Sequence, residues 1–143
     1  MATDGRGMPR PYGLLGARKE AILEAKGAEG EVVETYQALY TTRALADAEA
    51  RLGKSVGLAI SGFATGKSGI REIAILLQAG MEANRRASKA GGNPVSFDDA
   101  CDVLDVVGLT PAANVIGPAI TAVLQYGLET EGFAQEEAPE KNG

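Results

Sequence analysis

Between Ser68 and Ala87, the residues Ile70, Ile73, Ala74, Leu77, Gly80 and Met81 recur every three or four positions. Arg71, Glu72, Gln78, Glu82, Arg85 and Arg86 fall outside that stripe or at its border. This spacing winds a long amphipathic helix, and its apolar face has to be covered by the rest of the chain. The cover comes from a chain of 143 residues, enough for one domain with a modest core and not for two. Apolar residues make up 45% but aromatics only 5%, with no Trp, so small aliphatic side chains must fill that core, and they favour helices.

The segments on either side of this spine supply the cover. Lys19–Lys26 and Glu31–Tyr40 read as two extended segments around Gly27-Ala28-Glu29-Gly30, a β-hairpin over residues 19–40. Thr41 or Thr42 can cap a helix from Arg43 to Leu52, with Leu45, Ala48 and Leu52 inward and Gly53 closing it. Val56–Phe63 is an apolar run interrupted by Gly57 and Gly62, for which a short helix is favoured over a buried strand. After the break at Gly91-Gly92-Asn93-Pro94, Ser96 and Asp99 form a capping-box pattern that opens a helix from Phe97 to Val107. Its expected inward face is Phe97, Ala100, Cys101, Leu104 and Val107. Thr110-Pro111 starts the last helix, in which Pro118 predicts a kink or a fresh start near Gly117. The expected fold is mainly α with a small N-terminal β-hairpin, a compact bundle of four to five short helices spanning residues 18–128. A flexible Gly/Pro/Arg arm over residues 1–17 precedes it, and an acidic, disordered tail over 129–143 follows.

Charge and composition narrow the function. The net charge is −5, and residues 129–143 carry −4 of it as five Glu and one Lys. That sign disfavours nucleic acid as a partner. With Cys101 the only cysteine and no histidine, neither an intrachain disulfide nor a Cys/His zinc site can form, and the commonest general base is missing. No apolar run is long enough for a membrane span, which places the protein in the cytosol where it is made.

The string Gly66-Lys67-Ser68 ahead of a helix looks like the end of a phosphate loop, but the required Gly at position 61 is Ser, and the available Gly62 is one residue late. The favoured reading is a turn in which Ser68 caps the spine helix and Ile70 is its first buried residue; nucleotide binding is the outside alternative. Asp98, Asp102 and Asp105 share a helix side, yet acidic residues in a first turn complement the helix dipole and the others suit a solvated face. Cys101 reads as a buried, inert thiol. No cofactor and no metal are expected.

Two features point to protein partners. Arg85, Arg86 and Lys89 form a basic cluster that suits a helix C-terminus or an acidic partner segment. Ile116, Ile120 and Leu124 form an apolar stripe that serves as core or as a partner groove.

The order of segments carries a family likeness. After the hairpin, Leu45 through Glu49 to Leu52-Gly53 matches Leu-x-x-x-Glu-x-x-Leu-Gly. Arg71 through Leu76-Leu77 to Ala79-Gly80 then matches Arg-x-x-x-x-Leu-Leu-x-Ala-Gly, and Ser96–Asp99 is an acidic, Ser-led entry to the next helix. Over about residues 19–126 the chain resembles the gene-transfer-agent-type tail proteins, grouped with the tail assembly chaperones of long-tailed phages. It departs from a minimal member in its Gly/Pro arm, an insertion over Asn84–Asn93, and Pro118. The resemblance implies a non-enzymatic phage protein, acting in the host cytoplasm during tail assembly. Such a protein binds the tape-measure protein, helps bring tail-tube subunits to it, and can self-associate. It also implies that some members are made in two lengths by frameshifting near the C-terminus. A structural tail or connector subunit retained in the virion is the alternative within the same setting.

Overall fold

The computed structural model describes residues 16–126. The acidic tail expected over residues 129–143, and all but the last two residues of the arm expected over 1–17, lie outside the described residues. The described residues fold as an antiparallel hairpin, β1 (Arg18–Lys26) and β2 (Val32–Thr41), followed by five helices. These are α1 (Thr42–Leu52), α2 (Val56–Thr65), α3 (Ile70–Ala87), α4 (Phe97–Val107) and α5 (Leu109–Gln125). The α+β class read from the sequence is what the chain forms, and the run at Val56 is a helix.

Gly30, in the left-handed region at φ 86°, turns the hairpin, and the N–H of Gly27 donates to the Glu31 carbonyl at 2.7 Å. Register pairs Ala21 with Ala38 and Leu23 with Tyr36, which puts Ala21, Leu23, Ala25, Ala38 and Tyr40 on one buried face. Helix α3 lies against β2, α1 and α4, whereas α5 lies against β1, α2 and α4.

The tightest joint is between β2 and α3. The Tyr40 ring is fully buried, and its hydroxyl donates to the Leu76 carbonyl at 2.9 Å. Burial without a charged partner holds the phenol protonated far above its usual range. Gly80 follows one turn after Leu76, and a Cβ placed there would sit 2.5 Å from Tyr40 Cζ and 2.8 Å from the Ala38 Cβ. The glycine is required by this close approach, since any side chain would push helix and strand apart.

The helix ends follow local chemistry. Thr41 Oγ1 accepts from the Ala44 N–H at 3.1 Å, and Ser55 Oγ accepts from that of Leu58 at 3.1 Å. Gly53 and Gly66 close α1 and α2, each at φ 74°. Ser96 and Asp99 complete their box with two bonds of 2.9 Å. Helix α3 stops before the glycines expected to break it. Lys89, at φ 56°, takes the left-handed position, and the Ala90 N–H closes back on the Arg85 carbonyl at 3.1 Å.

Three expectations need correction. Ile70 is 61% exposed and the first buried residue of α3 is Ile73, because the cap is Gly69 and the helix starts with Ile70 on its outer side. On α4 the buried residues are Ala100, Val103 and Leu104, and Phe97 is 38% exposed, so the helix is rolled toward Val103 relative to the expected face. Pro118 starts no new helix: α5 runs unbroken from Leu109 to Gln125. The sharp break falls instead at Gly108, at φ 100°, where α4 and α5 meet at a bend of 113°.

Three stability changes follow, each measurable by urea denaturation. Gly80→Ala should cost about 2–3 kcal/mol by overpacking, and Tyr40→Phe about 1 kcal/mol by losing one buried hydrogen bond. Lys89→Gly should raise stability by about 0.5–1 kcal/mol, by removing the strain of a side chain at positive φ.

Candidate functional site

The phosphate-loop look-alike has no amide groups to offer. The N–H groups of Lys67 and Ser68 both donate to the Gly62 carbonyl, at 2.8 and 3.2 Å, and that of Gly66 donates to Phe63 at 3.4 Å. A phosphate loop needs such groups pointing into open space after a strand. Here the turn follows helix α2 and closes it. Ser68 does not cap α3: its hydroxyl donates to the Ala59 carbonyl and it presses on Gly62, where a Cβ would strike Ser68 Oγ and N. The Ser68 expectation is thus corrected, and Gly62, the near-miss glycine of the motif, has a packing role. The α3 entry is secured by the Glu72 carboxylate, which accepts from the Gly69 N–H at 3.0 Å and pairs with Lys54. The Lys54 ammonium lowers the Glu72 carboxyl below its usual range.

Arg85 and Arg86 converge on a carboxylate of their own chain. Glu82 Oε1 accepts from Arg85 Nε at 2.9 Å, and Glu82 Oε2 accepts from Arg85 Nη2 and from Arg86 Nε, both at 2.8 Å. The Val95 N–H also donates to Oε1 at 2.8 Å, and Arg85 Nη1 reaches the Ala90 carbonyl at 3.2 Å. Beside it Gln78, 8% exposed rather than outside the core, donates to the Val95 carbonyl at 3.0 Å. This knot ties the 88–96 connection to α3. The Arg85 fork, with help from Val95 and Arg86, holds the Glu82 carboxyl down at about 2. Arg85 is thus tied into the fold of its own chain, the structural one of the two roles its cluster suggested, while the half-exposed Arg86 side chain borders a cleft.

That cleft, of about 360 Å³, lies where β1, β2, α1 and α3 meet. Leu39, Ala44, Ala79 and Ala83 line it with Arg18, Arg43, Arg51 and Arg86, and with Asp47 and Glu82. Strand register brings Arg18 opposite Thr41, beside the start of α1. Arg43, Asp47 and Arg51 follow at helical spacing on α1, a stripe visible in the sequence but without meaning until β1 and α3 close around it. Sequence reasoning missed this site because its arginines come from separate elements. A second cleft of about 430 Å³ adjoins it through Arg51 and Gln78, and adds Arg71, Ile75 and Phe97.

The C-terminal helix does border a groove, but not with the expected stripe. Ile116 and Ile120 are 0% exposed and belong to the core, which corrects their assignment to a partner surface. Leu124 is 44% exposed and does not line the groove. The groove lies on another side of α5, about 440 Å³ between α2 and α5, with walls that include Ile60, Phe63, Ala64, Gly117, Pro118 and Thr121. Gly117 lets the helices close, with the Phe63 ring 3.4 Å from where a Cβ would be. Pro118 has no N–H to give to the carbonyl of Asn114, which also borders the groove.

Among the described residues no three His, Cys, Asp or Glu gather at metal-binding distance, and Asp98, Asp102 and Asp105 are exposed along α4. Cys101 is half-buried. Among the described residues no single helix is long and apolar enough to cross a membrane. Compared with protein-family models, curated proteins and solved structures, the chain matches none.

The lowered Glu82 pKa has a pH signature. A carboxyl depressed from 4.5 to about 2 stabilises the fold fully above about pH 4.5, and that stabilisation is lost as pH falls toward 2. Glu82→Gln should cost about 1–2 kcal/mol at neutral pH and flatten this part of the stability profile, as followed by thermal melts across the acid range.

Proposed function

We propose that this chain is a non-enzymatic binding protein of the tail-assembly-chaperone type. In this reading it takes an apolar helix of the phage tape-measure protein in the α2–α5 groove, within the host cytoplasm. The observation that carries the reading is the groove itself: a concave surface walled by Ile60, Phe63 and Pro118, with the small Ala64 leaving room for an incoming helix. The resemblance in segment order supports the partner's identity, and delivery of tail-tube subunits belongs to the same reading. Many copies, each making a weak contact, would cover a long helix through multivalency. The closed Gly66 turn and the absence of histidine argue against an enzyme.

Co-expression with the tape-measure protein from the same phage should keep that protein in the supernatant and yield a complex on pull-down. Ala64→Glu with Thr121→Glu should weaken the complex at least about tenfold with unchanged circular dichroism, since two groove positions become charged against an apolar partner. Ile120→Asp should instead unfold the domain, because its charge is buried without a partner. No complex and no gain in solubility would sink the proposal, as would stoichiometric amounts of this chain in purified virions.

A further inference from the structure

The two arginine-lined clefts form one trough between α1 and α3. Arg51, near the end of α1, shares the smaller cleft with Arg71 at the start of α3, whereas Arg43, at the start of α1, shares the larger with Arg86 near the end of α3. The helices therefore run antiparallel, and Arg51 and Gln78, which belong to both clefts, make the trough continuous. From Arg71 to Arg86 the helix rises about 22 Å, at about 1.5 Å per residue. The charges along this length are sorted. Arg51 and Arg71 stand at one end, with Arg18, Arg43 and Arg86 at the other, and the carboxylates of Asp47 and Glu82 interrupt the basic lining. Glu82 is already held by Arg85 and Arg86, and Asp47 meets Arg43 only at 3.9 Å. Among the described residues Arg18, Arg51 and Arg71 have no carboxylate within ion-pair distance. Gln78, 8% exposed, borders the trough where the clefts join. The Val95 carbonyl takes its amide nitrogen at 3.0 Å, and among the described residues no hydrogen bond reaches its side-chain oxygen.

We propose that this trough binds an extended acidic segment of a partner protein, with carboxylates at its two ends and neutral residues between them. At about 3.3 Å per residue of extended chain, the two acidic ends lie about seven residues apart. Charge complementarity is the first argument: five arginines against two carboxylates, on a chain whose net charge is −5. Guanidinium forks match carboxylates in shape as well as in charge. The second is the Gln78 oxygen, an acceptor for a peptide N–H, a donor that phosphate and sugar–phosphate backbones lack. The third is the position of Asp47 and Glu82. A polynucleotide carries a negative charge at every nucleotide and would meet both carboxylates, whereas a peptide can pass them with uncharged residues. Phe97, 38% exposed in the cleft with Arg51 and Arg71, offers an aromatic or aliphatic side chain a contact beside one acidic end. Exposed ion pairs are individually weak, so affinity rests on both ends of the segment engaging together. The inference does not depend on what fills the α2–α5 groove.

The test titrates the full chain into a fluorescein-labelled peptide, Phe-Glu-Ala-Ser-Ala-Ser-Ala-Ser-Glu-Glu, and follows anisotropy. Binding should be saturable in low salt and weaken at least about tenfold in about 0.5 M NaCl, where ion pairs are screened. Arg51→Ala with Arg71→Ala should weaken it at least about tenfold with unchanged circular dichroism, since both side chains are exposed. A peptide of the same composition with all its glutamates beside the phenylalanine should bind at least about threefold more weakly, because it reaches one end only. Ala64→Glu with Thr121→Glu should leave the affinity unchanged. In ¹⁵N–¹H NMR the peptide should shift the side-chain amide of Gln78 and the backbone amides of Arg51, Arg71 and Phe97. No saturable binding in low salt, indifference to the arginine changes, or equal binding of the clustered peptide would overturn the proposal. So would stronger displacement of the probe by oligothymidylate or inorganic phosphate than by unlabelled peptide, which would mean a phosphate ligand. Self-association of the chain, seen in sedimentation and abolished by the same two arginine changes, would overturn it too, by making a second copy the occupant.

Discussion

The close approach of Tyr40 and Gly80 sets the distance between the hairpin and α3, and most other features depend on that distance. A strand and a helix can come this near only where the helix carries no side chain and the strand's aromatic ring has a polar partner for its hydroxyl. Both conditions meet within one turn, at Leu76 and Gly80. With few aromatics available, this one ring does much of the filling between β2 and α3, and small residues such as Ala38 and Ala74 close the remainder. The same approach aligns the end of β2 with the start of α1, so Arg18, Arg43, Arg51 and Arg86 border one cleft.

Carboxylates act throughout as fasteners for backbone N–H groups. Glu49 accepts from Val56, Glu72 from Gly69, Glu82 from Val95, and Asp99 from Ser96. Each holds a helix entry or the connection into one, where backbone donors lack helical partners. These acidic residues are therefore placed by local structure rather than gathered as ligands, while the arginines of the two clefts face outward. Arg85 and Arg86 show how the two patterns meet: one arginine completes a fastener, and the other divides itself between Glu82 and the cleft.

What was legible came from short-range periodicity and caps. The hairpin, the Ser96–Asp99 box, Gly53 as the stop of α1 and the buried Leu77 all follow from interactions within about four residues. What misled was also local. Ile116 and Ile120 read equally well as core or groove, because periodicity gives a helix face without saying what covers it. Ile70 fell on the apolar stripe, but the helix begins there and nothing in the fold covers its outer side. The proline at position 118 suggested a kink or a fresh start, and the fresh start does not occur, since α5 continues through it from Leu109 to Gln125.

The sequence by itself determined which segments are strands and helices, where most of them start and stop, and that Gly66-Lys67-Ser68 lacks the spacing of a phosphate loop. Only the tertiary structure decided which faces remain open. It buried Ile116 and Ile120, turned Arg85 inward onto Glu82, and assembled the arginine clefts and the α2–α5 groove from distant elements. The physical reason is range. Backbone preference and capping act over a few neighbouring residues, whereas exposure and charge clustering depend on how whole elements pack, as at Gly80, where a missing side chain lets a strand come close.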